Sequence, residues 1–194
     1  MSELACDLLV LSGDWIPDNE LAVTAGLPID AGSMAPIVDT AGRTPKRAVF
    51  AAGNLVHPAE TADIAALGGR HVAASVLDFL RAPEGWPLPA TPIASADLRW
   101  ITPQLVPQDR TLPARRRFVV RARDMASRAA VTIRQGESEL WHGRAQLIPN
   151  RSASLPAEWL AAVDADEPVT VSITNQRRPD ALRRVQDEVD AEVE

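Results

Sequence analysis

A cluster of prolines divides this chain into two halves whose apolar residues recur at different periods. Pro83, Pro87, Pro89 and Pro92 fall with Gly85 between Arg81 and Leu98, a density that reads as a linker rather than a helix or an interior strand. Upstream, Ile64, Leu67, Val72, Val76, Phe79 and Leu80 recur every three or four residues and predict an amphipathic helix beginning near Glu60 or Thr61. Downstream, that period gives way to short runs with strand character at 98–102, 117–121, 130–134, 139–142, 145–148 and 169–173. Gln135-Gly136 makes a turn between two of them, and one or two helical turns are expected within 155–163. The expected organisation is therefore an α/β segment over 1–82, a proline-rich linker over 83–97, a small all-β sandwich over 98–175 and a charged tail over 176–194. An open barrel is the alternative to the sandwich. In the tail, Ala181, Val185 and Val189 allow a short helix.

Within the first half, residues 48–52 are a short apolar run that ends abruptly at Gly53, as a buried strand of a parallel sheet does. A polar loop, Asn54-Leu55-Val56-His57-Pro58, then leads into the long helix. A strand, a glycine turn and a helix start make a ready ligand site, because free backbone amides face outward and the glycine admits close approach. A second strand is expected over 5–12, with Cys6 buried in it, followed by Gly13 and a crossover at Pro17. A short helix over 20–27 ends at Gly26, and a strand and turn over 36–42 precede Thr44. Gly68 and Gly69 cost the long helix on the order of 1 kcal/mol each relative to alanine, which predicts close packing there, on the sheet or on a cofactor.

Thr44, the apolar run, and Ala52-Gly53-Asn54 resemble the second flavin motif of the pyridine-nucleotide-disulfide oxidoreductase type of flavoprotein. The segment from Asp7 through Ser12-Gly13 to Pro17 is similar to the place where that family's nucleotide domain crosses back to its flavin domain. The resemblance covers roughly residues 5–82, the C-terminal part of an FAD/NAD(P)-binding, Rossmann-like unit, and the β half looks like a module appended to some bacterial members. It implies FAD as cofactor, NAD(P)H as co-substrate and hydride transfer as the reaction. It further implies that Gly53 and Asn54 serve the ribityl and pyrophosphate region. His57, Glu60 and Thr61 would then lie near the isoalloxazine ring or the helix start. The family usually carries Gly-Asp where this chain has Gly53-Asn54; the amide oxygen still accepts a hydrogen bond but brings no charge. By itself, a lone loop histidine such as His57 reads equally as a surface or helix-capping residue.

The Gly-x-Gly-x-x-Gly turn that holds the FAD pyrophosphate in that family does not occur in these 194 residues. A partial parallel sheet leaves apolar edges uncovered, so self-association or a partner chain is expected to complete it. The rival reading is a non-catalytic binding or assembly module, a truncated partner subunit. A hydrolase is disfavoured by the lack of a Gly-x-Ser-x-Gly elbow. No residue stands out as a catalytic acid, base or nucleophile.

A net charge of −6 and a single basic cluster, Arg110 with Arg115-Arg116-Arg117, argue against nucleic acid as a partner; that cluster reads as a solvated loop or a salt-bridged face. His71 reads as a packed or solvated helix residue. Three scattered histidines and one cysteine give neither a metal-ligand spacing nor a disulfide. Without a long apolar run or a signal-like N-terminus, membrane association is not expected and a cytoplasmic location is.

Overall fold

The computed structural model describes residues 5–10, 15–57, 60–86, 90–165 and 167–174. Gly13, Pro58 and the expected helix of the charged tail lie outside the described residues. The structure is mixed α/β and mostly sheet. Among the described residues, two α-helices, α1 (Glu20–Thr24) and α2 (Ala62–Arg81), precede eight strands. These are β1 (Ala90–Ala94), β2 (Leu98–Thr102), β3 (Leu105–Pro107), β4 (Arg117–Ala122), β5 (Ala126–Gln135), β6 (Ser138–Leu147), β7 (Ala153–Pro156) and β8 (Val169–Thr174).

The strands form a five-stranded sheet in the order β3-β1-β8-β5-β6 and a three-stranded sheet in the order β2-β4-β7. Only β1 and β8 pair in parallel within them, Ile93 lying opposite Val169. The two sheets share one core. Phe118, Val120 and Leu155 enter it from the smaller sheet, and Val131, Ile133, Val169 and Val171 from the larger. The Phe118 ring stacks on Trp159, with centroids 4.9 Å apart and planes 27° from parallel. Trp159 lies on a 3-10 turn, Glu158–Ala162, and its indole N–H donates to the Pro156 carbonyl at 2.7 Å.

The alternating runs of the second half thus become strands, and the tight turn at Gln135-Gly136 joins β5 to β6. Three strands were not expected. β1 lies inside the proline-rich stretch, where Pro92 is tolerated because Thr91 and Ile93 carry the burial. β3 and β7, three and four residues long, are too short to show a period.

The first half departs further from expectation. Among the described residues before β1 there is no strand ladder, only isolated bridges joining Ile29 to Pro36, Arg43 to Phe50 and Asp39 to Leu105. Residues 49–52 are unpaired beyond the Phe50 bridge, and Ala48 before them lies in a turn at φ +65. The described part of the expected strand over 5–12 is coil, with Leu8, Leu9 and Val10 more than 70% exposed, and Cys6 is exposed rather than buried. A parallel strand gains its stability from a neighbour on each edge and cover on each face. The described part of 5–12 has neither here, and 48–52 has cover, at Ala51 and through Phe50 on Phe79 and Trp86, but no ladder on its edges.

Residues 38–43 instead dock on the β module. The Val38 carbonyl accepts from the amides of Gln104 and Leu105 at 3.0 and 3.1 Å, and its own amide donates to Gln104 Oε1 at 3.1 Å. The Thr40 hydroxyl donates to the Thr111 carbonyl. Arg43 bridges Asp39 at 2.6 Å and Asp109 at 2.9 Å. Helix α2 lies over this segment, with Val72 beside Gly42 and the His71 ring bonded to the Thr40 carbonyl, and its Ile64, Val72, Val76 and Phe79 are half-buried. Leu67 and Leu80, expected on that face, are 42% and 65% exposed. At the far end of α2, Phe50, Phe79 and Trp86 meet edge to face with centroids 5.1 to 6.0 Å apart. No helix among the described residues is long and apolar enough to cross a membrane.

The Arg43 bridge gives the docking a pH dependence. Burial works to raise the Asp109 carboxyl, but the Arg43 guanidinium and the Thr111 amide and hydroxyl outweigh it and hold it below its ordinary value of 3.8. A carboxyl depressed in the folded state stabilises above its ordinary value and loses that contribution as pH falls through the folded value. Asp39 has the opposite sign: burial pushes its carboxyl up against the pull of Arg43 and two amides. Urea midpoints measured from about pH 6 down to about pH 3 are expected to fall below about pH 4, and Asp109→Asn is expected to remove part of that acid loss. An unchanged acid limb in the variant would show that the Arg43–Asp109 bridge contributes nothing.

Candidate functional site

The loop between residues 52 and 62 separates two concavities. Gly53 opens it with φ +68, a left-handed conformation that glycine adopts without strain. A 3-10 turn, Gly53–Leu55, follows. The Asn54 side-chain N–H then donates to the Glu60 carbonyl at 3.2 Å, drawing the two ends of the loop together and leaving Asn54 Oδ1 available as an acceptor. Gly68 of α2 is buried against this loop, with room for a Cβ only 3.7 Å from the Gly53 nitrogen; Gly69 meets nothing within 4 Å. The packing expected of the glycine pair therefore rests on its first member.

On one side lies a groove of about 570 Å³, walled by Trp15, Ile16, Pro17 and Asp18 and by Asn54, Leu55, Glu60 and Thr61. Its size is that of small-molecule sites. It brings the expected crossover segment at Pro17 against three of the expected site residues.

On the other side is a smaller cavity of about 60 Å³ between α2 and the β module. Gly53 and His57 border it, with Val38, Ile64, Val72 and Val119 among its apolar walls and Arg115 and Arg117 from the β module. The five sequence-predicted residues are thus split: Gly53 and His57 border the smaller cavity, and Asn54, Glu60 and Thr61 border the larger groove.

His57 is half-buried, and burial lowers its pKa below the usual histidine value of 6.5. The Glu60 charge pulls it back up, while the Arg115 charge adds to the lowering. Its Nδ1 is shielded from solvent and has no hydrogen-bond partner among the described residues. A buried polar nitrogen left unpaired costs on the order of 1–3 kcal/mol, so a group that bonds to it would recover that cost. His71, by contrast, is partnered: its Nε2–H donates to the Thr40 carbonyl at 2.7 Å.

The start of α2 is occupied by its own side chains. Thr61 stands at the N-cap in an extended conformation without capping an amide. Its hydroxyl, followed by the amides of Asp63 and Ile64, holds the Asp63 carboxyl below the ordinary range. A phosphate would compete with that carboxylate for the first-turn amides, whereas neutral hydroxyls would not. That chemistry suits a neutral polyol at Asn54, whose Oδ1 can accept from a hydroxyl, and it offers no cradle for a pyrophosphate.

Arg115 and Arg117 are exposed, in keeping with the solvated loop that was one of the two sequence readings, and both also border the smaller cavity. Arg115 and Arg116 hold left-handed φ values of 59° and 56°, uncommon for arginine, at the turn into β4. That turn carries Arg115 to the mouth of the smaller cavity. The clustering of three arginines was visible in the sequence, but their approach to a loop some 60 residues earlier was not. The described residues contain no group of three or more His, Cys, Asp or Glu able to hold a metal ion. A scan against protein-family models and searches of curated proteins and of solved structures give no match to this chain.

Proposed function

We propose that residues 5–82 are the C-terminal part of an FAD-binding unit and that the protein takes part in FAD-dependent oxidation of NAD(P)H. The observation that carries this reading is the groove beside Gly53-Asn54, in which the crossover segment Trp15–Asp18 faces Asn54, Glu60 and Thr61. When bound, the flavin supplies hydride-accepting chemistry. Asn54 Oδ1 would accept from a ribityl hydroxyl, the Thr61 side chain would border the ring end, and Trp15 and Ile16 would exclude water from one face. The glycine-rich turn for the pyrophosphate would come from outside these 194 residues, on a partner chain.

Asn54 gives the direct test. Asn54→Asp restores the charge found in the resembled motif and is expected to tighten FAD binding by about three- to tenfold, whereas Asn54→Leu weakens it by about tenfold or more, the scale of one polar contact. Quenching of flavin fluorescence on titration measures both. Equal affinities in all three proteins would remove Asn54 from the site.

One observation favours a second reading, a non-catalytic assembly module. Leu8, Leu9, Val10, Trp15, Ile16, Leu21 and Val23 are all more than half exposed, an apolar surface of the kind that marks protein interfaces. Flavin retention separates the two, since an assembly module has no reason to hold it.

A further inference from the structure

We propose that the smaller cavity between α2 and the β module is a binding site for a small carboxylic acid with a short apolar tail. It is distinct from the flavin groove and does not require flavin to be bound.

The polar end of the site is built from two parts of the chain. His57 Nδ1 is shielded from solvent, lacks a partner among the described residues, and belongs to a residue that borders the cavity. Protonated at Nδ1, the ring donates one hydrogen bond to a carboxylate oxygen. Arg115 and Arg117 border the same cavity, and among the described residues neither side chain is in a hydrogen bond or ion pair. Arginine suits a carboxylate because its planar fork offers two parallel donors.

The acidic groups nearby are already engaged. Asp39 is held by Arg43 at 2.6 Å and by the amides of Ala41 and Arg43 at 2.9 Å. Asp63 draws on Thr61, the first-turn amides and the Arg115 charge, and Glu60, which lines the open groove, acts on His57. The Arg115 charge is shared with Asp63, whose carboxyl it helps hold down, and Arg117 is the cation at this mouth with no ion pair among the described residues.

The apolar end sets the class of ligand. Val38, Val56, Ile64, Val72 and Val119 line the interior, so a compact dianion such as phosphate would lose its hydration there without replacement. An alkyl tail gains by burial. The cavity of about 60 Å³ admits a few water-sized groups, at about 10–15 Å³ each, which limits the tail to about three to five carbons.

The test is a titration of the whole chain with butyrate, followed by ¹H–¹⁵N correlation spectra and calorimetry, without FAD. Butyrate is expected to saturate, to shift amides of 51–57 and 64–72, and to weaken by about tenfold or more when Arg115 and Arg117 are both changed to alanine. Both arginines are exposed, so the fold is expected to survive the change. Inorganic phosphate is expected to give no saturating shifts in the same amides. Butyrate shifts that map elsewhere, phosphate binding as tight as butyrate, or no saturation at about 50 mM butyrate, a ceiling weaker than any useful site, would each overturn the proposal. Because FAD is absent, these outcomes leave the flavin site to be judged by its own titration.

Discussion

Phe118→Ala is expected to lower the unfolding free energy by about 3–5 kcal/mol, the range for emptying a large aromatic site in a packed core. Phe118 is wholly buried and stacks on Trp159 at 4.9 Å. Its loss removes the contact that ties β4 of the smaller sheet to the 3-10 turn carrying Trp159. Against a total stability of about 5–15 kcal/mol for a domain, the loss is a large share. Urea unfolding followed by tryptophan fluorescence reads it. A loss below about 1.5 kcal/mol, less than the usual aromatic deletion, would mean that the two sheets do not close over this ring.

Gly42→Ala is the second large effect, and it bears on the site. Gly42 has φ +76, and a Cβ there would overlap Val72 Cγ2 and lie 3.0 Å from the Ala51 carbonyl oxygen. Left-handed strain costs about 1–2 kcal/mol and overpacking about 1–3 kcal/mol, so a loss of about 2–5 kcal/mol is expected. Relief of the overlap moves Val72 or residue 51, both walls of the smaller cavity. Gly69→Ala is the matched control: its Cβ meets nothing within 4 Å and lies within α2, so it is expected to stabilise by up to about 1 kcal/mol through helix propensity. Thermal or urea midpoints of the two variants should move in opposite directions. Equal shifts would contradict the packing of α2 over residues 38–43.

The elements that could be read from the sequence were those whose signal is local. Helix α2 carries its own period, and Gln135-Gly136 its own turn chemistry. Residues 48–52 misled because an apolar run reports burial rather than pairing, and here the burial comes from the β module and α2 instead of from neighbouring strands. Strand β1 was hidden by Pro92, whose missing donor masks a strand in any pattern of residues.

The site was half legible for the same reason. Gly53, Asn54, His57, Glu60 and Thr61 are close in sequence, and a strand-turn-helix pattern selects such a loop. Which concavity each residue borders depends on Trp15–Asp18 and on Arg115, and only long-range packing brings those segments to the loop. Nothing local to Arg115 distinguishes a cavity mouth from a solvated turn.

The most direct measurement is the absorbance spectrum of the purified chain with added FAD, after unbound flavin is removed. A flavin site in the groove at Asn54 predicts a retained, structured band at about 350–500 nm, as an oxidised flavin held by protein gives, and its loss in Asn54→Leu. A colourless protein after incubation with FAD, both alone and at concentrations that favour self-association, would contradict the flavin assignment and leave the exposed apolar surface at Leu8–Val10 and Trp15 as the feature to pursue.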